Sequence, residues 1–205
     1  MLLRRFEKCL ELEPEYIHVD NDASFYVRKG RYGKVYIYFE WSNGATDWKN
    51  NFDFPAKPYR KMGDVWFCHR GFLKVWKTIE PCIAGYILAP STNEIEIVGY
   101  SHGGAIAQLC YEYVRFHRPD IPVTGIGYGA PRVVWGPVKK AVKDRFAGFL
   151  VVKNGRDVVT TLPPKWLGFR HFGSVLHVNL GSKGPIDDHR PENYREMLSK
   201  IVAKS

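Results

Sequence analysis

A serine set among glycines, at the junction of an apolar strand and an amphipathic helix, constrains this chain more than any other stretch. The segment reads Gly99-Tyr100-Ser101-His102-Gly103-Gly104. After it, apolar side chains recur at the spacing of one helical face: Ile106, Leu109, Cys110, Tyr113 and Val114. The chain reverses sharply from strand to helix at Ser101. Side chains two residues before and two residues after this apex would collide, so glycine is needed at Gly99 and Gly103. The pattern predicts a nucleophile elbow, with the Ser101 hydroxyl at a helix N-terminus that favours developing negative charge.

From this elbow onward the predicted strands and helices alternate, which is typical of a mostly parallel sheet covered by helices. The predicted helices cover residues 2–11, 72–83, 106–114, 138–146 and 194–202. The predicted strands cover 24–28 and 34–41, which form an antiparallel hairpin, and then 95–98, 121–128, 149–152 and 175–180. Pro81 is expected to end or kink its helix, and residues 46–59 to hold a short helix-like stretch followed by a loop. The fold class is therefore α/β, in one domain spanning residues 1–205.

Composition excludes several classes of protein. A chain of 205 residues fits one domain, and no run of 18 or more apolar residues suggests a membrane span. The N-terminus becomes charged at Arg4, without the apolar core of a signal peptide. The four cysteines lie without metal-ligand spacing, at Cys9, Cys68, Cys82 and Cys110. We therefore expect reduced thiols, no metal site and a cytoplasmic location.

The net charge of +9 has two interpretations. One is attraction to an anionic surface such as phospholipid headgroups or nucleic acid. The other, which we favour, is a solvated surface, because the positive residues are dispersed apart from a cluster in 139–145 and no nucleic-acid motif accompanies them. We expect no nucleic-acid partner and at most weak peripheral contact with a membrane. The sequence leaves the oligomeric state open.

A serine hydroxyl becomes a nucleophile only when a base removes its proton and a third group orients that base. Such groups collect at the carboxyl ends of parallel strands, and they follow an elbow serine in the order acid, then histidine. His117 lies about 24 Å along the helix from Ser101, at 1.5 Å per residue. His177 falls within a predicted strand, so a structural role is favoured. His189 follows the last strand in a polar loop and is the predicted base, with His171 as the weaker candidate.

The acid is sought between the serine and the histidine. Asp157 is the one carboxylate just beyond the carboxyl end of a predicted strand and before His189. Asp188 stays open as the alternative, although it lies too close in sequence to His189 for a comfortable bridge. Arg156 could instead pair with Asp157 at the surface.

These residues resemble a known family, the fungal-type class 3 lipases of the α/β-hydrolase fold. The elbow is similar to that family's Gly-His-Ser-Leu-Gly-Gly. Further segments resemble its motifs in the same order: Cys68-His69-Arg70-Gly71-Phe72, Gly129-Ala130-Pro131-Arg132-Val133, Asn154-Gly155-Arg156-Asp157 with Leu162-Pro163-Pro164, Gly168-Phe169-Arg170-His171-Phe172-Gly173, and Asp188-His189 with Tyr194. The resemblance covers residues 35–194. It implies a catalytic triad of Ser101, Asp157 and His189, and structural roles for His69 and His171.

The resemblance also implies an oxyanion hole made by Ser42 and the backbone N–H of His102. The chain departs from the family here, since Glu40-Trp41 replace the usual Arg-Gly before Ser42. Losing one oxyanion donor typically costs about 2.7–4 kcal/mol of transition-state stabilisation. A displaced Ser42 would therefore slow the reaction without abolishing it.

The family places a mobile lid where residues 46–59 lie, a stretch that we call the lid segment. Its apolar residues Trp48, Phe52 and Phe54 alternate with polar ones, so it has little to gain from an oil interface. The resemblance implies a serine carboxylic-ester hydrolase without metal or organic cofactor, acting on a small-molecule ester or lipid. The lid segment favours short- to medium-chain esters or acylglycerols. A phospholipase A1 activity and a non-catalytic interaction module are the competing interpretations.

Overall fold

A seven-stranded sheet forms the centre of the protein. We describe residues 1–20, 23–40, 55–61 and 64–203 of a computed structural model. The strands of this sheet are β1 (Ile17–Val19), β2 (Ala23–Lys29), β3 (Lys34–Phe39), β6 (Glu94–Tyr100), β7 (Val123–Tyr128), β9 (Phe149–Asn154) and β11 (Ser174–Val178). Their order is β1-β2-β3-β6-β7-β9-β11. The first three strands are antiparallel, and every pair from β3 to β11 is parallel. The predicted hairpin and parallel sheet are confirmed.

Helices cover both faces of this sheet. In the described residues they are α1 (Leu2–Glu11), α2 (Arg70–Leu88), α3 (His102–His117), α4 (Lys140–Phe146) and α5 (Pro191–Val202). One apolar cluster joins α2, α3 and α4 to one face, and a second joins α1 and α5 to the other. Each helix presents its apolar stripe to the sheet, as the sequence periodicity predicts. No helix in the described part of the chain is long and apolar enough to cross a membrane.

A second, four-stranded antiparallel sheet packs beside the first, and the sequence analysis missed it. Its strands are β4 (Ala56–Lys61), β5 (Asp64–His69), β8 (Val134–Trp135) and β10 (Phe169–Arg170), in the order β10-β8-β5-β4. The loop expected over the end of 46–59 is wrong from Ala56 onward. Two prolines favoured a loop, but β4 is an edge strand, where Pro58 is tolerated. Tyr59 is buried against Trp66, with ring centroids 5.1 Å apart, and anchors the hairpin.

Pro81 does not end α2, which continues to Leu88. Buried residues on both sides of the proline, among them Ile79 and Ile83, keep one apolar face of the helix on the sheet. Packing therefore outweighs the lost backbone hydrogen bond, because most helical stability in proteins comes from such a face. The larger apolar cluster contains residues of both sheets. We propose on this basis that the described chain is one domain.

Candidate active site

The strand–turn–helix geometry predicted around Ser101 is present. Ser101 links β6 to α3 with φ 54° and ψ −121°, a backbone conformation that side-chain-bearing residues rarely adopt. Its N–H donates to the Tyr128 carbonyl at 2.8 Å, which anchors the apex to the neighbouring strand. A Cβ on Gly99 would lie 2.1 Å from the Gly103 oxygen, and one on Gly103 would lie 2.4 Å from the Phe39 oxygen. Only glycine fits at either position, so the steric reasoning from sequence holds.

The structure brings His189 to the serine. His189 ends a short 3-10 turn, Asp187–His189, and its Nε2 lies 2.8 Å from the Ser101 Oγ. The rival candidate, His171, lies elsewhere, with its Nε2 2.9 Å from the Thr160 carbonyl oxygen. Burial lowers the pKa of His171 to about 4. That imidazole is therefore neutral at physiological pH and belongs to the structural framework.

The structure also brings Asp157 to the histidine. Asp157 follows β9, is fully buried, and places its Oδ2 2.9 Å from the His189 Nδ1. Its Oδ1 accepts a hydrogen bond of 2.8 Å from the Val159 N–H. The alternative acid, Asp188, instead accepts hydrogen bonds from the Lys183 and Arg156 N–H groups, each at 2.7 Å. Asp188 thus ties the histidine loop to the acid loop and does not face the imidazole ring.

Two tyrosines support this pair, and the sequence analysis assigned neither of them a role. Tyr194 of α5 donates its O–H to the Asp157 Oδ2 at 2.6 Å. Burial and then the Asp157 charge raise the pKa of Tyr194 well above its usual value, so it stays protonated and able to donate. Tyr100 donates to the backbone carbonyl of His189, and its ring stacks on the imidazole with centroids 5.3 Å apart. Both rings contact Phe6 of α1.

The segment after β7 packs against His189 and Asp157. Gly129 has φ 58°, and a Cβ there would lie 3.0 Å from the His189 Cε1 and 3.1 Å from the Asp157 Oδ2. Arg132 donates its Nη1 to the carbonyl oxygens of Thr161 and Pro163, the latter at 2.9 Å, in the loop that follows the acid. The resemblance to Gly-Ala-Pro-Arg-Val therefore has a physical basis. The glycine lets the backbone approach Asp157 and His189, and the arginine holds the loop that carries Asp157.

The remaining predicted site residues divide into two groups. His102 is the first residue of α3 and is buried, with its ring edge-on to Phe72 at 5.3 Å. Burial, and then the neighbouring His69, lower the pKa of His102 to about 4, so its imidazole is a neutral packing group. The other predicted site residues lie outside the described residues: Ser42, Trp48, Phe52 and Phe54. In the described part of the chain no group of three His, Cys, Asp or Glu side chains could hold a metal ion.

The arrangement is a hydrogen-bonded series from a hydroxyl through an imidazole to a buried carboxylate, on a mostly parallel sheet. The sequence of residues 36–166, more than half of the chain, matches the family described as lipase (class 3). The chain belongs to the class 3 lipase family. The serine, the acid and the glycine-bearing motif between them all fall inside the matched range, whereas α1, His189 and Tyr194 lie outside it.

Fungal lipases are among the class 3 relatives. The secreted mono- and diacylglycerol lipase 1 of Fusarium solani is 28% identical over 166 residues, which cover 75% of this chain and 46% of that protein. A secreted mono- and diacylglycerol lipase LIP2 of Malassezia restricta is 26% identical over 118 residues, covering 54% and 37%. The crystal structure of a mono- and diacylglycerol lipase from Aspergillus oryzae has a TM-score of 0.67 at 22% identity, covering 85% of this chain and 66% of that chain. This last likeness shows the α/β-hydrolase fold. The chain spans less than half of the two curated relatives.

The cytoplasmic location expected from the sequence is wrong. Both curated relatives are named as secreted lipases, which points to an extracellular location. The prediction of a cytoplasmic location was based in part on the cysteines. Cys9, Cys68 and Cys110 are buried thiols, and thiols in apolar surroundings are inert. Their reduced state therefore does not depend on the redox potential of the compartment.

Proposed function

We propose that the protein is a serine carboxylic-ester hydrolase that cleaves acyl esters through an acyl-enzyme on Ser101. The observation that carries the proposal is the continuous relay at hydrogen-bond distance. It runs from the Ser101 Oγ to the His189 Nε2 at 2.8 Å, and from the His189 Nδ1 to the Asp157 Oδ2 at 2.9 Å. Membership of the class 3 lipases supports this assignment.

The reaction follows from the relay. His189 accepts the Ser101 proton as the hydroxyl oxygen attacks the ester carbonyl, and the Asp157 carboxylate stabilises the imidazolium that forms. The backbone N–H of His102, at the N-terminus of α3, stabilises the oxyanion together with donors from Ser42. The imidazolium then protonates the departing alcohol, and an acyl ester remains on Ser101. Water, deprotonated by His189, releases the acid by the same route.

Tyr194 and Tyr100 act in this proposal as positioning residues. Tyr194 holds the carboxylate of the acid at 2.6 Å, so the Asp157 oxygen that faces the imidazole accepts two hydrogen bonds. Tyr100 directly precedes Ser101 and donates a hydrogen bond to the backbone carbonyl of His189. The end of β6 therefore positions both partners of the proton transfer. A reaction that loses rate when reacting atoms shift by about 1 Å benefits from such rigidity.

We propose short- to medium-chain esters or partial acylglycerols as substrates. The printed names of the Fusarium and Malassezia relatives refer to mono- and diacylglycerols. Before β4, the lid segment carries Trp48, Phe52 and Phe54 as its large apolar residues among polar ones, which offers little surface for an oil interface. Contact with a membrane is then peripheral and weak.

A panel of p-nitrophenyl esters of increasing chain length tests the proposal. We expect the highest kcat/KM on short and medium chains, and no sharp rise on emulsified long-chain substrate above its solubility. Ser101→Ala should lose nearly all turnover, while Ser199→Ala, which removes an exposed helix hydroxyl, should retain it. Comparable turnover in wild type and Ser101→Ala would remove Ser101 from the mechanism.

A further inference from the structure

An open cleft of about 510 Å³ lies at the opposite end of the sheet from Ser101. It is lined by the β2–β3 turn and by the first residues of β3 and β6, with Arg28, Arg31 and Lys34 as its cations. Strand β6 begins at Glu94 in this cleft and ends at Tyr100 beside the nucleophile. A strand of that length spans roughly 20 Å, at about 3.3 Å per residue. The cleft is therefore separate from the relay.

The cleft has an excess of positive charge. Among the described residues that line it, Glu94 is the one carboxylate against three cations. Lys34 is held in place, because its Nζ lies 2.7 Å from a Glu94 oxygen and 3.7 Å from a Glu96 oxygen. Arg28 and Arg31 are exposed, so the two guanidinium groups supply the uncompensated charge.

The local backbone keeps these groups together. Arg28 lies directly opposite Tyr36 in the β2–β3 ladder, and Lys34, two residues before Tyr36, shares that face. The Lys34 Nζ lies 5.1 Å above the Tyr36 ring. Gly30 packs beside this ring, and a Cβ there would lie 2.7 Å from the ring carbon Cε2, so the Tyr36 side chain would have to move. Cations and a phenol therefore line one side of the cleft.

The rim of the cleft carries a strained residue. Tyr32 has φ 56° and ψ 33°, the left-handed conformation that favours glycine, yet its side chain is 93% exposed. The next residue, Gly33, also has a positive φ of 73°, so this backbone conformation belongs to the tight turn between β2 and β3. Here it holds an aromatic ring and a phenol O–H in solvent beside Arg31.

We propose that this cleft binds a phosphate monoester. Such a group carries a charge of about −1.5 to −2 at pH 7, which matches the excess of two positive charges. Guanidinium groups bind phosphate oxygens through paired hydrogen bonds, and the tyrosine hydroxyls can donate further ones. Two sources supply such a group: the headgroup of a lipid such as phosphatidic acid, and a soluble phosphate ester.

Calorimetric titration of Ser101→Ala protein tests the site without hydrolysis of the ligand. Inorganic phosphate and glycerol phosphate are the soluble probes, and phosphatidic acid in phosphatidylcholine vesicles is the lipid probe. We expect saturable binding with one site per chain. Adding Arg28→Gln and Arg31→Gln should weaken it at least tenfold with an unchanged circular dichroism spectrum. The matched control carries Lys139→Gln and Lys143→Gln, which remove the same charge from exposed positions at α4, and should bind as before.

Each outcome decides the proposal. Tighter binding to the vesicles than to soluble probes assigns a lipid headgroup, and equal or weaker binding assigns a soluble phosphate ester; both uphold the site. An equal loss in the two double variants would mean that only net charge matters, and would overturn the site. Absence of saturable binding of every probe would overturn it as well. Neither result bears on ester hydrolysis, which depends on Ser101.

Discussion

Replacing Tyr194 by phenylalanine keeps the buried ring and removes one hydroxyl, which also accepts a hydrogen bond from the Asn154 N–H at 3.2 Å. That hydroxyl donates to the buried Asp157 Oδ2 at 2.6 Å. A hydrogen bond to a charged group contributes about 1.5–3 kcal/mol. Without it the carboxylate is less well held and less able to stabilise the imidazolium of the transition state. At about 1.36 kcal/mol per tenfold in rate, the variant should lose roughly 10- to 150-fold in kcat/KM.

The assay is ester hydrolysis well below the midpoint of thermal unfolding, with kcat and KM determined separately. We expect the loss in kcat, because Asp157 touches no substrate in the proposed mechanism. Tyr128→Phe is the matched control. Its hydroxyl also lies in the tyrosine cluster but donates to the Leu2 carbonyl at 2.7 Å, away from the relay. A kcat within threefold of wild type in Tyr194→Phe, or an equal loss in Tyr128→Phe, would refute the reasoning.

Three further predictions follow from the same contacts. Tyr100→Phe keeps the ring on His189 but removes the hydrogen bond to its backbone carbonyl, so kcat should fall while KM stays near the wild-type value; an unchanged kcat would leave Tyr100 a packing residue. Gly99→Ala would place a Cβ 2.1 Å from the Gly103 oxygen, so little folded protein should be recovered, and a thermal unfolding midpoint equal to that of wild type would contradict this. Burial lowers the pKa of His102 to about 4 in the folded protein, against about 6.5 in the unfolded chain, so below pH 6.5 the unfolded chain binds the proton more readily. The free energy of unfolding should therefore fall by about 3 kcal/mol between pH 6.5 and pH 4, and then level off. Denaturant titrations across that pH range should show a smaller fall in the free energy of unfolding for His102→Leu than for wild type. An identical fall would mean that other groups cause the acid sensitivity.

The elbow could be predicted from sequence because its determinants are local. Gly99 and Gly103 are required by contacts within a few residues of Ser101 and by one neighbouring strand, and the flanking periodicity shows which elements they join. Asp157 and His189 could be selected because parallel strands deliver their carboxyl ends to one edge. The structure places His189 beside the serine and Asp157 beside His189, while His171 and Asp188 belong to the surrounding framework.

The supporting tyrosines could not be predicted in the same way. The sequence placed Tyr194 in a predicted helix and near the base in a family-like segment, without a partner for its O–H, which reaches a carboxylate 37 residues earlier. Tyr100 occupies the variable position of the elbow, and its partner is a backbone carbonyl 89 residues later. Such contacts depend on how α5 and the loop of the base dock, which no periodic pattern encodes.

The second sheet was missed for a different reason. Strands β8 and β10 have two residues each, too short for alternation to show. Strand β4 contains a proline, which favoured the prediction of a loop there. Strands β8 and β10 form through pairing with distant segments, as when Phe67 lies opposite Trp135. The predicted cytoplasmic location was wrong because buried cysteines do not report the compartment of a protein.

Covalent labelling with a fluorophosphonate, followed by mass spectrometry of the digested protein, tests the central claim most directly. The phosphonate reacts only with a serine whose hydroxyl is activated by a base. We predict one adduct per chain, on the peptide that contains Ser101, with labelling abolished by His189→Ala although the serine is retained. An adduct on another residue, or labelling at an unchanged rate in His189→Ala, would contradict the relay.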